Sequence, residues 1–289
     1  MLAIVGLVIV IGAVVGGFLM AGGNLLVLNQ PSEFVVIGGA ALGTMLIGYS
    51  PKALKDMISQ LTGLVKSGPG KKEYIDLLVM LYEILNIARR DGLVALESHV
   101  EHPEKSPVIS KYSGFTKNHH AVHFMADTLR LMISDAGVEA HDLDAMLDAD
   151  LDSHHAEASI PSKILSTVGD AMPGLGIVAA VLGIVITMGH IDGPPEEIGH
   201  HVGAALIGTF IGILMSYGFM QPLAANLTNR VEAEARYYLA IKHVLLAFHK
   251  GCVPAIAVEF ARRSIASEVR PGFSELEQAC RAARSGTKS

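Results

Sequence analysis

The sequence predicts an all-α, polytopic membrane protein with four transmembrane helices and a helical cytoplasmic domain. Of its 289 residues, 51% are hydrophobic and only 17% charged, whereas a soluble globular protein carries about 25% charge. All 22 Lys and Arg fall in two segments, twelve between Lys52 and Lys163 and ten between Arg230 and Lys288. The two base-free stretches, 1–51 and 164–229, each contain a pair of long apolar runs. Low charge and high apolar content exclude disorder. With 22 bases against 28 acids there is no basic excess for a nucleic-acid partner. Two Cys cannot build a disulfide scaffold, and the 30 Gly follow no three-residue period.

The apolar runs are 2–20, 34–49, 171–189 and 202–223. Each is near the roughly 20 residues that carry a helix across a bilayer. The turns between them, 21–33 and 190–201, contain no base. By the positive-inside rule both basic segments and both termini are cytoplasmic, and both turns lie outside. Run 2–20 lacks a positive flank before it and a small-residue cleavage site, so it reads as a span rather than a cleaved signal.

The segment 51–165 reads as a cytoplasmic helical domain and 224–289 as a cytoplasmic helical tail. In 71–90, Tyr74, Leu78, Leu81, Tyr82 and Leu85 recur at helical spacing, and Gly92 follows as a stop. Further helices are expected over 119–135 and 138–159. The latter carries seven acids and no base, the pattern of a solvated face. The tail continues the fourth span through Phe248 and breaks at Gly251 and Pro254. Ser274 and Glu277 have the spacing of a capping box. His119 and His123, and His154 and His155, read as surface groups, because no convergent set of metal ligands accompanies them. His190, His200 and His201 flank the second outer turn. No nucleophile, base or cofactor constellation marks an enzyme, so no catalytic residue, metal or cofactor is expected.

Inside the spans, Gly12 and Gly16, Gly39 and Gly43, and Gly208 and Gly212 are GxxxG pairs. Such pairs permit close helix approach in lipid, although Gly is also simply common there. Pro173 and Pro222 sit at the inner ends of spans three and four. They either end helices or kink them, leaving the carbonyls of Gly169 and Gly218 without a donor. Asp170 precedes Pro173 and is either part of an ion path or a helix cap. No acid or base lies in the middle of any span. A conducted ion would need a carboxylate from a partner chain. Ala180 and Thr209 lie at similar depth in antiparallel helices; a Thr there either back-bonds to its own helix or lines a path.

The residues also resemble a known family. GDAMPGLGIVAAVLGIV at 169–185 and GAALIGTFIGILMSYGF at 203–219, followed by Pro222, are similar to spans three and four of the flagellar motor stator protein MotA family. Gln30-Pro31-Ser32-Glu33 and the tail PAIAVEFARR at 254–263, with Arg270-Pro271, match as well. The resemblance covers nearly the whole chain. It implies a multi-pass protein of the bacterial inner membrane that forms a ring, a pentamer, around two copies of MotB. MotB supplies the ion-binding Asp and the peptidoglycan anchor. It implies that ion flow moves the ring against the rotor protein FliG. Pro173 and Pro222 would couple ion binding to motion. The rotor contact maps onto Glu97 and onto Arg89 or Arg90, the doubled Arg leaving both open. Ala180, where sodium-type relatives carry Thr, favours protons. The competing expectation is an ExbB- or TolQ-type energy transducer, a relative that usually has three spans.

Overall fold

Every regular element of the computed structural model is helical among the described residues, which are 2–63, 68–134, 137–284 and 286. In chain order the helices are α1 (Leu2–Met20), α2 (Leu25–Leu28), α3 (Pro31–Gly48), α4 (Pro51–Thr62), α5 (Lys71–Asp91), α6 (Glu97–Glu101) and α7 (Ser113–Thr116). They continue with α8 (His119–Ile133), α9 (Ala140–Ala158), α10 (Ile160–Met188), α11 (Pro195–Ile213), α12 (Gln221–His249), α13 (Pro254–Ser264) and α14 (Phe273–Arg284). Between α11 and α12, Leu214–Met220 is a π-helix. Four helices, Leu2–Met20, Leu25–Gly48, Ala140–Met188 and Pro195–His249, are long and apolar enough to cross a membrane. Two compact units are formed, Met1–Lys66 with Ala158–Arg230 and Ser67–Glu157 with Val231–Ser289.

The first unit holds the apolar helices. α1 buries none of its residues within the chain, as suits a helix whose aliphatic side chains face lipid. Its successor begins earlier than the expected 34–49. Asn24 caps α2 by accepting from the Leu26 N–H at 3.0 Å, and Pro31 opens α3 at a position where no N–H is needed. The core comprises Ile37 and Ala41 of α3, Met57 of α4, Ile164, Leu165, Val168, Met172 and Ala179 of α10, and Ile207 and Ile211 of α11, with Ala224 and Leu227 of α12. Because Met57 packs in this core and Arg230 Nη1 donates to the Gly63 carbonyl at 2.8 Å, α4 joins the first unit. Its bases had suggested a place in the cytoplasmic domain. α10 begins at Ile160 and passes without interruption through Pro173, so that proline does not start a helix.

The second unit is built on α5. Tyr74, Leu78, Leu81 and Leu85 are buried, with Leu77, Met80 and Ile84 beside them. The Gly70 N–H is capped by Glu73 Oε2 at 3.1 Å, and Gly92 ends the helix with φ +86°, a left-handed region that favours glycine. The expected helix 119–135 ends at Ile133, and Asp135 lies outside the described residues. α9 is not wholly a solvated acidic face. Its Asp144 and Asp148 accept from Lys242 Nζ at 2.5 and 2.6 Å, and Lys242 is only 5% exposed. A buried ammonium requires such partners. The rings of His120 and His154 stack at 3.5 Å beside Tyr238. These two are half-buried, and burial lowers the pKa of both, so His154 is not the surface group expected. The break after α12 occurs at Gly251, φ +87°, and α13 opens with Pro254. The capping box at Ser274 and Glu277 does not form. The last helix starts at Phe273, Glu275 Oε2 accepts from the Gly272 N–H at 3.1 Å, and Glu277 pairs with Arg281. Cys252 and Cys280 are free thiols, and burial pushes that of Cys280 up to about 12.

Among the described residues, only one of the three GxxxG pairs packs within the chain. A Cβ added at Gly212 would meet the Met172 carbonyl at 2.5 Å and Gly176 Cα at 2.9 Å. Among the described residues, nothing beyond the local helix backbone lies within 4 Å of that position at Gly12, Gly16, Gly39 and Gly43. Those four therefore do not hold the helices of a single chain together. Gly212→Ala is expected to lower the thermal stability of the detergent-solubilised protein by about 1–3 kcal/mol, the range for overpacking a tight contact. Gly12→Ala, measured on the dissociated single chain, is expected to unfold with the wild type.

Candidate ion-coupling site

The site is organised by the close approach of α10 and α11. A Cβ at Gly176 would meet the Gly208 carbonyl at 2.8 Å and Thr209 Cα at 3.2 Å. One at Gly183 would meet Ala205 Cβ at 2.8 Å. Small residues at four-residue spacing on both helices let the backbones touch. The contact also fixes the relative level of the two helices. The Cβ position of Gly208 lies 3.3 Å from the Ala180 nitrogen, which places Ala180 and Thr209 within about one helical turn of each other, as their positions in sequence implied. Both are half-buried. Thr44 and Thr187 instead donate to Ala41 and Gly183 carbonyls of their own helices, each at 2.8 Å. Ser216 is 1% exposed, and its Oγ has no hydrogen-bond partner.

The two prolines belong to one hydrogen-bonded arrangement. Gln221, immediately before Pro222, donates from Nε2 to Asp170 Oδ1 at 2.7 Å and to the Ser166 carbonyl at 3.3 Å. Asp170 precedes Pro173 by three residues. Gly169 is the α10 residue against which Gln221 lies, since a Cβ there would meet Gln221 Nε2 at 3.0 Å and Met220 Cβ at 3.1 Å. Gln221 carries no motif of its own, and sequence reasoning missed it; its place before the proline was the available signal.

A π-helix leads into the second proline. Across Leu214–Met220 the ladder runs from each carbonyl to the fifth residue on, ending with the Gln221 N–H on the Ser216 carbonyl. Pro222 follows as the second residue of α12 and offers no N–H to the preceding turn. At Pro173 the helix is regular, and the Gly169 carbonyl faces the missing N–H as expected.

Glu33 departs furthest from expectation. The sequence placed it in an outer turn and left the apolar spans without a carboxylate. It lies instead in the first turn of α3 and is 7% exposed. Its Oε2 rests against Gly208, where a Cβ would overlap it, and has no hydrogen-bond partner. Pro31 at the first helical position was the signal that α3 begins early enough to include Glu33.

Arg89, Arg90 and Glu97 belong to the second unit and are exposed. They differ in their partners. Arg90 forms a two-pronged pair with Asp91, Nε to Oδ1 at 2.9 Å and Nη2 to Oδ2 at 2.7 Å. Arg89 and Glu97 make no ion pair among the described residues. Glu97 opens α6, a segment anchored by the buried His99, whose Nδ1 lies 2.7 Å from Ser106 Oγ. The Ser106 oxygen also accepts from the N–H groups of Val108 and Ile109. Among the described residues no group of three or more His, Cys, Asp or Glu could hold a metal. His190 and His201 stack at 5.6 Å on the outer turn.

The chain matches two family descriptions, "Motility protein A N-terminal" over residues 4–92 and "MotA/TolQ/ExbB proton channel family" over residues 116–239. It is 38% identical to Motility protein A of Salmonella typhimurium and equally to that of Escherichia coli. Each comparison covers 98% of this chain and 96% of the relative. It is 35% identical to the chemotaxis protein LafT of Vibrio parahaemolyticus over 94% of this chain and 96% of the relative. Its fold is similar to that of a chain in the C. jejuni MotAB structure, at TM-score 0.75 and 20% identity, covering 92% of this chain and 96% of that one. The flagellar MotAB stator complex of Bacillus subtilis contains a similar chain at TM-score 0.73 and 20% identity, covering 96% and 98%. With curated relatives this similar across nearly their whole length, the chain belongs to the motility protein A family of proton-channel proteins.

Proposed function

We infer that this chain is the stator subunit of a flagellar motor. With a MotB partner it forms a proton channel in the bacterial inner membrane and turns ion flow into torque on the rotor. The observation that carries this reading is the full-length likeness to Motility protein A, supported by the joining of Pro173 and Pro222 through Asp170 and Gln221. The distribution of bases supports cytoplasmic termini. Several chains form a ring, a pentamer, around MotB, whose Asp binds the travelling ion. The open glycine faces of α1 and α3, at Gly12, Gly16, Gly39 and Gly43, are available for that assembly. Ala180 beside Thr209 supports protons, because a second hydroxyl would be wanted to replace a sodium hydration shell. Arg89 and Glu97 contact FliG through a transient charged interface, in which exposed pairs steer encounter and separate readily.

The test is an in-frame deletion of the gene in its own organism. Flagella of normal number on cells that do not swim, with swimming restored by the intact gene, are the expected result. Undiminished swimming, in a strain without a second stator set, would reject the reading.

Pro173→Ala restores a donor to the Gly169 carbonyl. It is expected to accumulate at the wild-type membrane level and to lose most swimming speed; normal speed would remove the coupling role. Arg89→Glu is expected to impair swimming more than Arg90→Glu, because Arg90 is already committed to Asp91. Soft-agar expansion of the two variants at matched expression measures the order.

A further inference from the structure

We propose that Glu33 is a second proton-binding station, in the outer part of the ion path, which takes protons from the external water and hands them inward. The proposal rests on the stator reading above. The carboxyl is more than nine-tenths buried, its Oε2 has no partner, and it is aimed at the bare α-carbon of Gly208. Ala179 Cβ and the Ala180 nitrogen lie 3.1 and 3.3 Å from the same Cβ position. The oxygen therefore sits at the level of Ala180 and one residue from Thr209. Gly208 is the fourteenth residue of α11, about 20 Å from its start at 1.5 Å per residue. The acid thus reaches well inside the outer end of that helix.

A purely structural role fits the geometry poorly. A Glu in a first turn can serve the free N–H groups there, but Oε2 accepts from none of them. Polar groups kept inside an apolar bundle without partners are costly and functional by default. The charged groups on the packed elements leave the carboxyl without a fixed counter-ion. α10 carries Lys163 and Asp170 in its first half and nothing charged from Ala171 to Met188. α11 carries Glu196, Glu197, His200 and His201 in its first two turns and nothing charged beyond. α2 carries no charge, and the outer turn adds His190 and Asp192. Without a permanent ion pair, Glu33 is free to exchange its charge. It binds one proton from outside to become the neutral acid, and releases that proton to the next acceptor inward to regain its charge.

The experiment compares wild type, Glu33→Gln and Glu33→Asp in cells deleted for the chromosomal gene, with the natural partner present. Membrane levels are matched by immunoblot, and swimming speed is followed from about pH 6 to about pH 8 outside, where external proton supply falls about 100-fold. Glu33→Gln preserves shape and cannot hold a proton. Its speed should be near wild type at the acid end and at least halved at the alkaline end, with Glu33→Asp closer to wild type. Wild-type speed at every pH, or a loss that does not change with pH, would overturn the proposal. Should Glu33→Gln fail to accumulate, the wild-type complex answers instead. Dicyclohexylcarbodiimide, which attacks protonated carboxyls in apolar surroundings, should modify Glu33 by mass spectrometry, less as external pH rises; no modification there overturns the proposal. Failure of the wild-type gene to restore swimming would reject the stator reading itself and is read separately.

Discussion

The contact on which the first unit depends is the meeting of two bare backbones, Gly176 of α10 with Gly208 and Gly212 of α11. Lipid offers no hydrophobic drive for helices to associate, so dispersion between closely approaching backbones must do so. A side chain at Gly176 or Gly212 would occupy space that main-chain atoms already fill, and one at Gly208 would overlap the Glu33 carboxyl and Ala179 Cβ. This one contact sets the level of α11 against α10 and thereby aligns Ala180 with Thr209. It also leaves the notch at Gly208 into which Glu33 reaches, and brings Met220 and Gln221 onto Gly169.

The prolines acquire meaning from that alignment. In an apolar surrounding an unpaired carbonyl is expensive, yet Pro173 and Pro222 each remove a donor. The chain tolerates this differently on its two helices. α10 stays regular, whereas the stretch before Pro222 widens into a π-helix. Gln221 then ties the two regions together through a single side-chain amide. A hydrogen bond to a carboxylate is worth about 1.5–3 kcal/mol net, less where water reaches it. That is strong enough to select one arrangement and weak enough to be exchanged when a neighbouring charge changes. An arrangement of this strength is the kind that proton binding nearby can bias.

Much of this was legible in the sequence. Hydropathy marked the spans, base distribution separated charged from apolar segments, and Gly251 with Pro254 marked a break where the chain has one. Other features depended on information that local pattern does not hold. The start of α3 was set too late because Glu33 depresses the hydropathy of its own turn, while its compensation, the notch at Gly208, lies far along the chain. Three GxxxG pairs look alike in sequence, but the motif does not say which face meets which helix, and among the described residues only Gly208 and Gly212 find a partner within the chain. Asp144 and Asp148 read as solvated acids until Lys242, about a hundred residues later, is seen between them. The π register was invisible because neither propensity nor hydrophobic period marks it.

The second unit handles its charges in two ways, and the contrast bears on the interface proposed for Arg89 and Glu97. Lys242 is enclosed by two carboxylates, and Glu259 is held at about 2 by Arg262 and Arg263. Such groups are spent on the fold and unavailable to a partner. Arg90 is exposed but already engaged by Asp91. Arg89, in the last turn of α5, and Glu97, which opens α6, are exposed and unpaired among the described residues. The backbone under Glu97 is fixed by the buried His99–Ser106 hydrogen bond and by Arg130 bonded to Glu101 and the Val100 carbonyl. Rigid support matters more than strength at such a place. An exposed ion pair gives only about 0–1 kcal/mol, so an interface made of a few of them forms and breaks without trapping the complex. A surface that must grip and release repeatedly is better served by weak contacts held in fixed positions than by a large apolar patch.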